Sequence, residues 1–436
     1  MKVEELLAGL ESAARDPDSF LLSYWYKLAA GTTSFVDFLN AVHSQKQLTY
    51  LTIDTTGACD LKCSGMCYYN PDISLGRNPV EESLLRQAIR QAADELSLRV
   101  LTFAGKEPFL NAPRLFNLAK FAGSIPSRNF LIGTVTNGRH IARYKRELVE
   151  LAGLSSLDYV DISIDNADPV EHDRLRGVEG THKLAIEAVH WLNRELPEIR
   201  TTVPSVLRSD NAVGILRLIA LLAPVNHHFQ IQPIQPPPGS QFPPLSAENI
   251  LEFLADLIVV LEGPLQGAGI EVSVELLGIY LLEAVQNGVF TWSDIQEDEN
   301  HVLFVERNVG GNSLVITCEI FPLQAWRLAR IMYNGTYLAH MHFLQSKNPE
   351  AYSVGSIQER SIVELFDMAT MRNSHFFQVT ESRQDHDCRC RPCWKNCFGG
   401  WNGAENAFLE KSRKLTDQPR LCIKGEAEFA KLMAII

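Results

Sequence analysis

The sequence predicts an α/β protein: a partial (β/α)6, TIM-like barrel with an N-terminal helical preface and a small cysteine-rich α+β domain at the C-terminus. Three observations carry this. From Leu48 onward, short apolar runs alternate with longer amphipathic ones; a loop with three cysteines follows the first run; and denser cysteines close the chain after the pattern shortens near Val302. Strand-helix alternation with short links implies parallel strands joined by right-handed crossovers, and six such units make a barrel smaller than the closed eight-unit form.

In residues 1–47, Leu6, Leu7 and Leu10, then Phe20, Leu21, Tyr24, Trp25 and Leu28, recur at helical spacing, which reads as a helical preface packed on the core. Strand-like runs follow at 48–54, 99–104, 129–135, 158–164, 199–206 and 227–232, separated by helix-like runs at 81–96, 113–122, 141–152, 182–194, 212–223 and 246–262. In the first of these helices Leu85, Ala88, Ile89, Ala92, Ala93 and Leu96 share one face, the stripe that a helix turns toward a sheet. The barrel is assigned to 48–240, ending at Pro236-Pro237-Pro238-Gly239. Residues 241–301, with Ser246 as an N-cap, are expected to be a helical linker region, and 302–436 the cysteine-rich domain.

Lys+Arg 40 against Asp+Glu 52 gives a formal charge of -12, which disfavours a nucleic-acid backbone as partner and favours a cationic small molecule. No apolar run is long enough to span a bilayer, and Glu4 and Glu5 argue against a secretory signal, so no membrane partner and a cytoplasmic location are expected. Clustered cysteines in that compartment are metal ligands more often than disulfides.

The first cluster, Cys59-Asp60-Leu61-Lys62-Cys63-Ser64-Gly65-Met66-Cys67, directly follows the first strand, and chemistry in parallel barrels sits at the C-terminal ends of strands. Three thiolates can hold three irons of a [4Fe-4S] cluster and leave the fourth iron open to a ligand. Zinc is the alternative, but it wants a fourth ligand nearby, and His140 and His172 lie far along the chain. The loop resembles the cluster loop of the radical S-adenosylmethionine (SAM) superfamily, which spaces its cysteines by three residues and then two. Here the spacing is three and three, with Gly65 taken as the extra residue. That variant spacing resembles the radical SAM diol dehydratases of the apramycin pathway, which remove the 3'-hydroxyl of the aminoglycoside paromamine.

The resemblance extends along the barrel. Gly105-Lys106-Glu107-Pro108 resembles the family's Gly-Gly-Glu-Pro motif, which implies that the main chain at Gly105 pairs with the methionine part of SAM and that Glu107 accepts from its amino group. The fourth strand alternates as Asp161-Ile162-Ser163-Ile164-Asp165, placing Asp161, Ser163 and Asp165 in the lumen. By resemblance Ser163 and Arg176 hold the SAM carboxylate and ribose, a task that suits the Arg fork. Gln230 and Gln232 share one face of the sixth strand; either they contact ligand, with Gln232 assigned to SAM, or they bond to backbone. The turn Thr136-Asn137-Gly138 also recurs in the family, and its residues receive no chemical role.

Four thiols in ten residues, Cys388, Cys390, Cys393 and Cys397, are a strong metal signal. The region resembles the SPASM/twitch-like extensions that carry auxiliary [4Fe-4S] clusters in radical SAM enzymes. Where their full pattern has further cysteines this chain has His340 and Trp401, which implies one auxiliary cluster held by Cys390, Cys393, Cys397 and Cys422, with Cys318 or Cys388 as substitutes. Structural zinc suits four thiolates as well.

The resemblance implies reductive cleavage of SAM, hydrogen abstraction from C4' of a cationic aminoglycoside, loss of the 3'-hydroxyl as water, and one further electron to give a 4'-keto product. It implies a flavodoxin- or ferredoxin-type electron donor and a separate NADPH-dependent reductase acting on that product. The step needs a base and an acid within hydrogen-bond reach, for which Asp54, Asp161, Asp165 and Glu319 are candidates. Three other readings remain open: a radical SAM peptide-modifying enzyme, although the preface is too short for a leader-peptide domain; an aminosugar dehydrogenase; and a zinc-stabilised binding module.

Overall fold

The structure, a computed structural model, describes residues 9–370 except 16–18, 31, 64, 66, 68–77, 235–239, 244, 278–279, 282–283, 286, 320–326, 340–343, 345–349 and 351–352. The expected auxiliary ligands Cys388, Cys390, Cys393, Cys397 and Cys422 lie outside the described residues, as do His340 and Trp401.

Six strands, β1 (Tyr50–Asp54), β2 (Val100–Ala104), β3 (Leu131–Thr136), β4 (Tyr159–Ile162), β5 (Arg200–Leu207) and β6 (His228–Pro233), lie side by side in chain order, each parallel to the next. They are the six strands read from the sequence, within two residues at each end. The preface forms α1 (Phe20–Ala30) and α2 (Phe35–Gln45), and the crossovers carry α3 (Glu82–Glu95), α4 (Ala112–Gly123), α5 (Lys145–Gly153), α6 (Pro169–Arg176), α7 (Thr181–Glu195) and α8 (Ala212–Leu222). Alternation along each strand divides the layers. Leu51, Ile53, Leu101, Phe103, Val160 and Ile162 are fully buried on one face, and Leu85, Ala88, Ile89 and Ala92 are the buried stripe of α3. The opposite face, with Thr52, Thr102, Tyr159, Asp161 and Thr202, borders an internal cavity.

The sheet does not stop at six strands. The stretch 241–301, expected to be a helical linker, carries α9 (Ala247–Glu262) but then also forms β7 (Glu271–Leu277), which pairs in parallel with β6. Its alternation, Glu271-Val272-Ser273-Val274-Glu275-Leu276, is a period-two strand pattern with Val272, Val274 and Leu276 fully buried. Downstream, β8 (Gln296–Glu297) and β9 (Leu303–Val309) are antiparallel additions beyond β10 (Asn312–Glu319), which runs parallel to β7. At the other edge β11 (Leu328–Ile331) runs parallel to β1, followed by β12 (Thr336–Leu338), β13 (Gly355–Ser356) and α10 (Ile362–Thr370). Residues beyond 302 therefore complete the wall of the cavity from both sides. Arg330 of β11 reaches Asp54 of β1 at 2.6 Å, with both side chains buried.

One glycine is required inside the lumen. A Cβ on Gly133 of β3 would sit 2.2 Å from the ring of Tyr159, which lies across it and brings its hydroxyl within 2.6 Å of Thr102 Oγ1 on β2. Gly133→Ala is expected to lower stability by about 1–3 kcal/mol through overpacking, read as a lower urea midpoint at unchanged slope.

Candidate active site

The cysteine loop leaves β1 after Asp54 and crosses the C-terminal ends of the strands. Its path is held by backbone bonds: Glu107 N–H donates to Ala58 O at 3.0 Å and Lys62 N–H to Arg176 O at 3.0 Å. Ser240 Oγ donates to Gly65 O at 2.6 Å. Cys59 is exposed, and Cys63 and Cys67 are half-buried. Leu61 N–H faces Cys59 Sγ at 3.4 Å, and Arg176 Nη1 lies 4.0 Å from Cys63 Sγ. Among the described residues no three His, Cys, Asp or Glu side chains converge as a metal set. The fit to an iron-sulfur cluster rests on donor chemistry: three thiols on one loop, with an amide and a guanidinium turned toward two of the sulfurs.

After β2 the chain turns under that loop. A Cβ on Gly105, at φ +97°, would meet Thr56 O at 2.5 Å, so only glycine permits the approach. Lys106 follows at φ 35°, a strained value for a lysine, and borders the cavity. Glu107 has no exposed surface. Its Oε1 accepts from Thr136 Oγ1 at 2.7 Å and Phe109 N–H at 3.2 Å, and its Oε2 from Asn137 N–H at 2.8 Å. Burial pushes its carboxyl up to about 7, against those donors. The carboxylate expected to receive the SAM amino group is thus turned inward, onto the turn after β3. That turn had no assigned role from sequence; the signal for it was the Thr136-Asn137-Gly138 motif itself.

The row of three lumen groups expected on the fourth strand is reduced to one. The strand ends at Ile162, so Ser163 and Asp165 lie past it. Ser163 is half-buried and donates its N–H to Thr136 O. Asp165 is fully buried: its Oδ2 takes Arg176 Nε at 2.8 Å and Nη2 at 2.7 Å, and its Oδ1 takes Val206 N–H at 3.0 Å. The Arg176 guanidinium holds this carboxyl below its ordinary value despite its burial. Arg176, expected to reach SAM, therefore bridges Asp165 and the sulfur of Cys63. Asp54 is likewise buried and engaged by Arg330. The Glu319 side chain lies outside the description.

Asp161 stays in the lumen. It borders a cavity of ≈ 820 Å³ that runs between the strands, and burial raises its carboxyl to about 7, against a hydrogen bond with Thr202 and the charge of Arg200. Gln230 and Gln232 both face this cavity, as does Cys318, whose thiol burial pushes up. Groups that the sequence reading missed join them: Ser273 and Glu275 from β7, Thr317 from β10, and Arg330. They sit on strands outside the six-unit repeat.

Residues 53–222 match the radical SAM superfamily. Among solved structures, Streptococcus suis SuiB is similar over 95% of this chain and 87% of its own, at 17% identity and a TM-score of 0.61. Native anSMEcpe with bound AdoMet is similar over 89% of this chain and 98% of its own, at 16% identity and a TM-score of 0.56. The same protein with AdoMet and the Cp18Cys peptide gives 88% and 98%, at 16% and 0.57. These likenesses show the fold. No curated protein matches the chain, and among the described residues no helix is long and apolar enough to cross a membrane.

The raised Asp161 carboxyl has a direct consequence for stability. In the folded protein it keeps its proton where the unfolded chain has lost it, so its contribution is present below about pH 4 and is lost as pH rises toward about 7. Asp161→Asn removes that loss. The variant is expected to match the parent in acid and to exceed it increasingly up to neutrality, measured as urea midpoints across pH. Glu107 shifts in the same direction in both proteins and cancels from the difference.

Proposed function

We propose that this chain, whose residues 53–222 form a radical SAM superfamily domain, is a SAM-consuming dehydratase that removes the 3'-hydroxyl of an aminoglycoside pseudodisaccharide, paromamine. The observation that carries the reading is Asp161, a carboxyl on the lumen wall that burial holds at about 7. A group titrating near working pH can both take and give a proton, and this reaction asks for both. Of the candidate acids whose side chains are described, Asp54 and Asp165 are engaged by arginines, and Asp161 is the one that faces the cavity. Further support comes from the lumen's amides, hydroxyls and carboxylates, Gln230, Gln232, Ser273, Thr317, Glu271 and Glu275, which suit a polyhydroxylated, ammonium-bearing substrate.

Cys59, Cys63 and Cys67 would hold a [4Fe-4S] cluster which, with SAM, would supply the radical chemistry that removes the C4' hydrogen atom. Asp161 then accepts the proton of the 4'-hydroxyl as the C4'–O bond becomes a carbonyl, and returns it to the 3'-hydroxyl as the C3'–O bond breaks and water leaves. One electron from a flavodoxin- or ferredoxin-type donor and one proton complete C3', so the sugar is lighter by one water. In this reading Cys390, Cys393, Cys397 and Cys422 would hold an auxiliary cluster that would supply electron-transfer chemistry, and the 4'-keto product would pass to a separate NADPH-dependent reductase. A second reading, modification of a peptide, takes its support from the fold shared with anSMEcpe, which has been solved with AdoMet and a peptide.

The test is anaerobic reconstitution with iron and sulfide, followed by reductant, SAM and paromamine, with products weighed by mass spectrometry. A sugar lighter by one water, formed with 5'-deoxyadenosine, is the expected outcome, and Asp161→Asn should slow it about 100-fold or more. Loss of two hydrogens would assign a dehydrogenase. SAM cleavage that paromamine does not accelerate would overturn the substrate, and an iron-free, zinc-loaded protein would sink the whole reading.

A further inference from the structure

The cysteine loop carries a side-chain anchor that lies outside the cysteines. Asp60, between Cys59 and Leu61, is half-buried and gathers three donors on one carboxylate: Asn137 Nδ2 at 3.0 Å, His140 Nε2 at 3.0 Å and Arg139 Nη1. All three donors belong to the turn after β3, the same turn whose Thr136 hydroxyl and Asn137 N–H hold Glu107. Among the described residues Arg139 Nε is buried with no hydrogen-bond partner, so the bond to Asp60 is the one that aims the guanidinium. Residues 136–140 thus act as a bracket, with the acid of the Gly105-Lys106-Glu107 turn on one side and the acid of the cysteine loop on the other.

We propose that Asp60 is a positioning residue for the iron-sulfur site, fixing the loop segment that bears Cys59 and Cys63 and offsetting the positive charge of Arg139 beside it. This rests on the reading of Cys59, Cys63 and Cys67 as cluster ligands. Two effects separate by chemistry. Anchoring needs acceptor oxygens, and charge offset needs the carboxylate; Asp60→Asn keeps one acceptor and the size but removes the charge, whereas Asp60→Ala removes both. Charge-assisted bonds are about twice as strong as neutral ones, and loss of a group that orients metal ligands lowers metal affinity by about 10- to 100-fold.

The experiment uses the full chain, reconstituted anaerobically, with a Cys59/Cys63/Cys67→Ala triple variant to define how much iron belongs to the loop. Loop iron is followed during chelator challenge, and the reduced cluster by electron paramagnetic resonance with and without SAM. Asp60→Ala is expected to release loop iron faster by about 10-fold or more, and Asp60→Asn to retain it while its reduction potential moves positive, because Arg139 is left uncompensated. A fold defect alone would lower the unfolding midpoint of the apoprotein without moving the potential of Asp60→Asn. Parent-like iron release and potential in both variants would overturn the proposal. If the parent and the triple variant hold the same iron, the ligand reading itself fails, and that outcome is distinct from the first.

Discussion

A carboxylate buried at the end of a strand has to find donors, and the donors that Glu107 finds organise the functional end of this barrel. Ionised and without partners, it would carry a penalty of several kcal/mol; with Thr136, Asn137 and Phe109 around it, it ties the end of β2 to the turn after β3. The same turn reaches on to Asp60, so the cysteine loop, the glycine turn beneath it and the β3 turn form one hydrogen-bonded assembly. Its members come from three βα junctions, which is where parallel barrels collect their functional groups.

Much of this was legible in the sequence. The six strands, their order and the placement of Cys59, Cys63 and Cys67 after the first of them follow from periodicity alone. Strand β7 obeys the same period-two pattern, but it follows the proline-rich joint at 236–238, which reads as the end of a domain. Charge pairing was the other blind spot. Asp54, Asp161 and Asp165 look alike as acids at strand ends, but Arg330 and Arg176, which take two of them, lie on a distant strand and a crossover helix. Alternation places a side chain on a face and cannot say which guanidinium will meet it there.

The resulting lumen is electrically varied. Asp161, Glu271 and Glu275 share it with Lys106, Arg200, Arg327 and Arg330, among hydroxyls and amides. Arg200 is already committed to Glu271 at 2.6 Å, and burial raises the Asp161 carboxyl to about 7, so the net charge of the chain says little about the field a ligand meets inside. The wall offers hydrogen-bond partners of both signs, which confer orientation more than raw attraction.

The pairing of β11 with β1 also bears on how the chain comes together. Asp54 and Arg330 are separated by 276 positions, so during synthesis the first barrel strand waits for its outer neighbour until most of the polypeptide has emerged. Contacts of such sequence separation form late and slowly. The lip of the barrel from which the cysteine loop springs is consequently among the last parts to be sealed, and until then the loop's thiols stand at an open seam where they can be reached from outside.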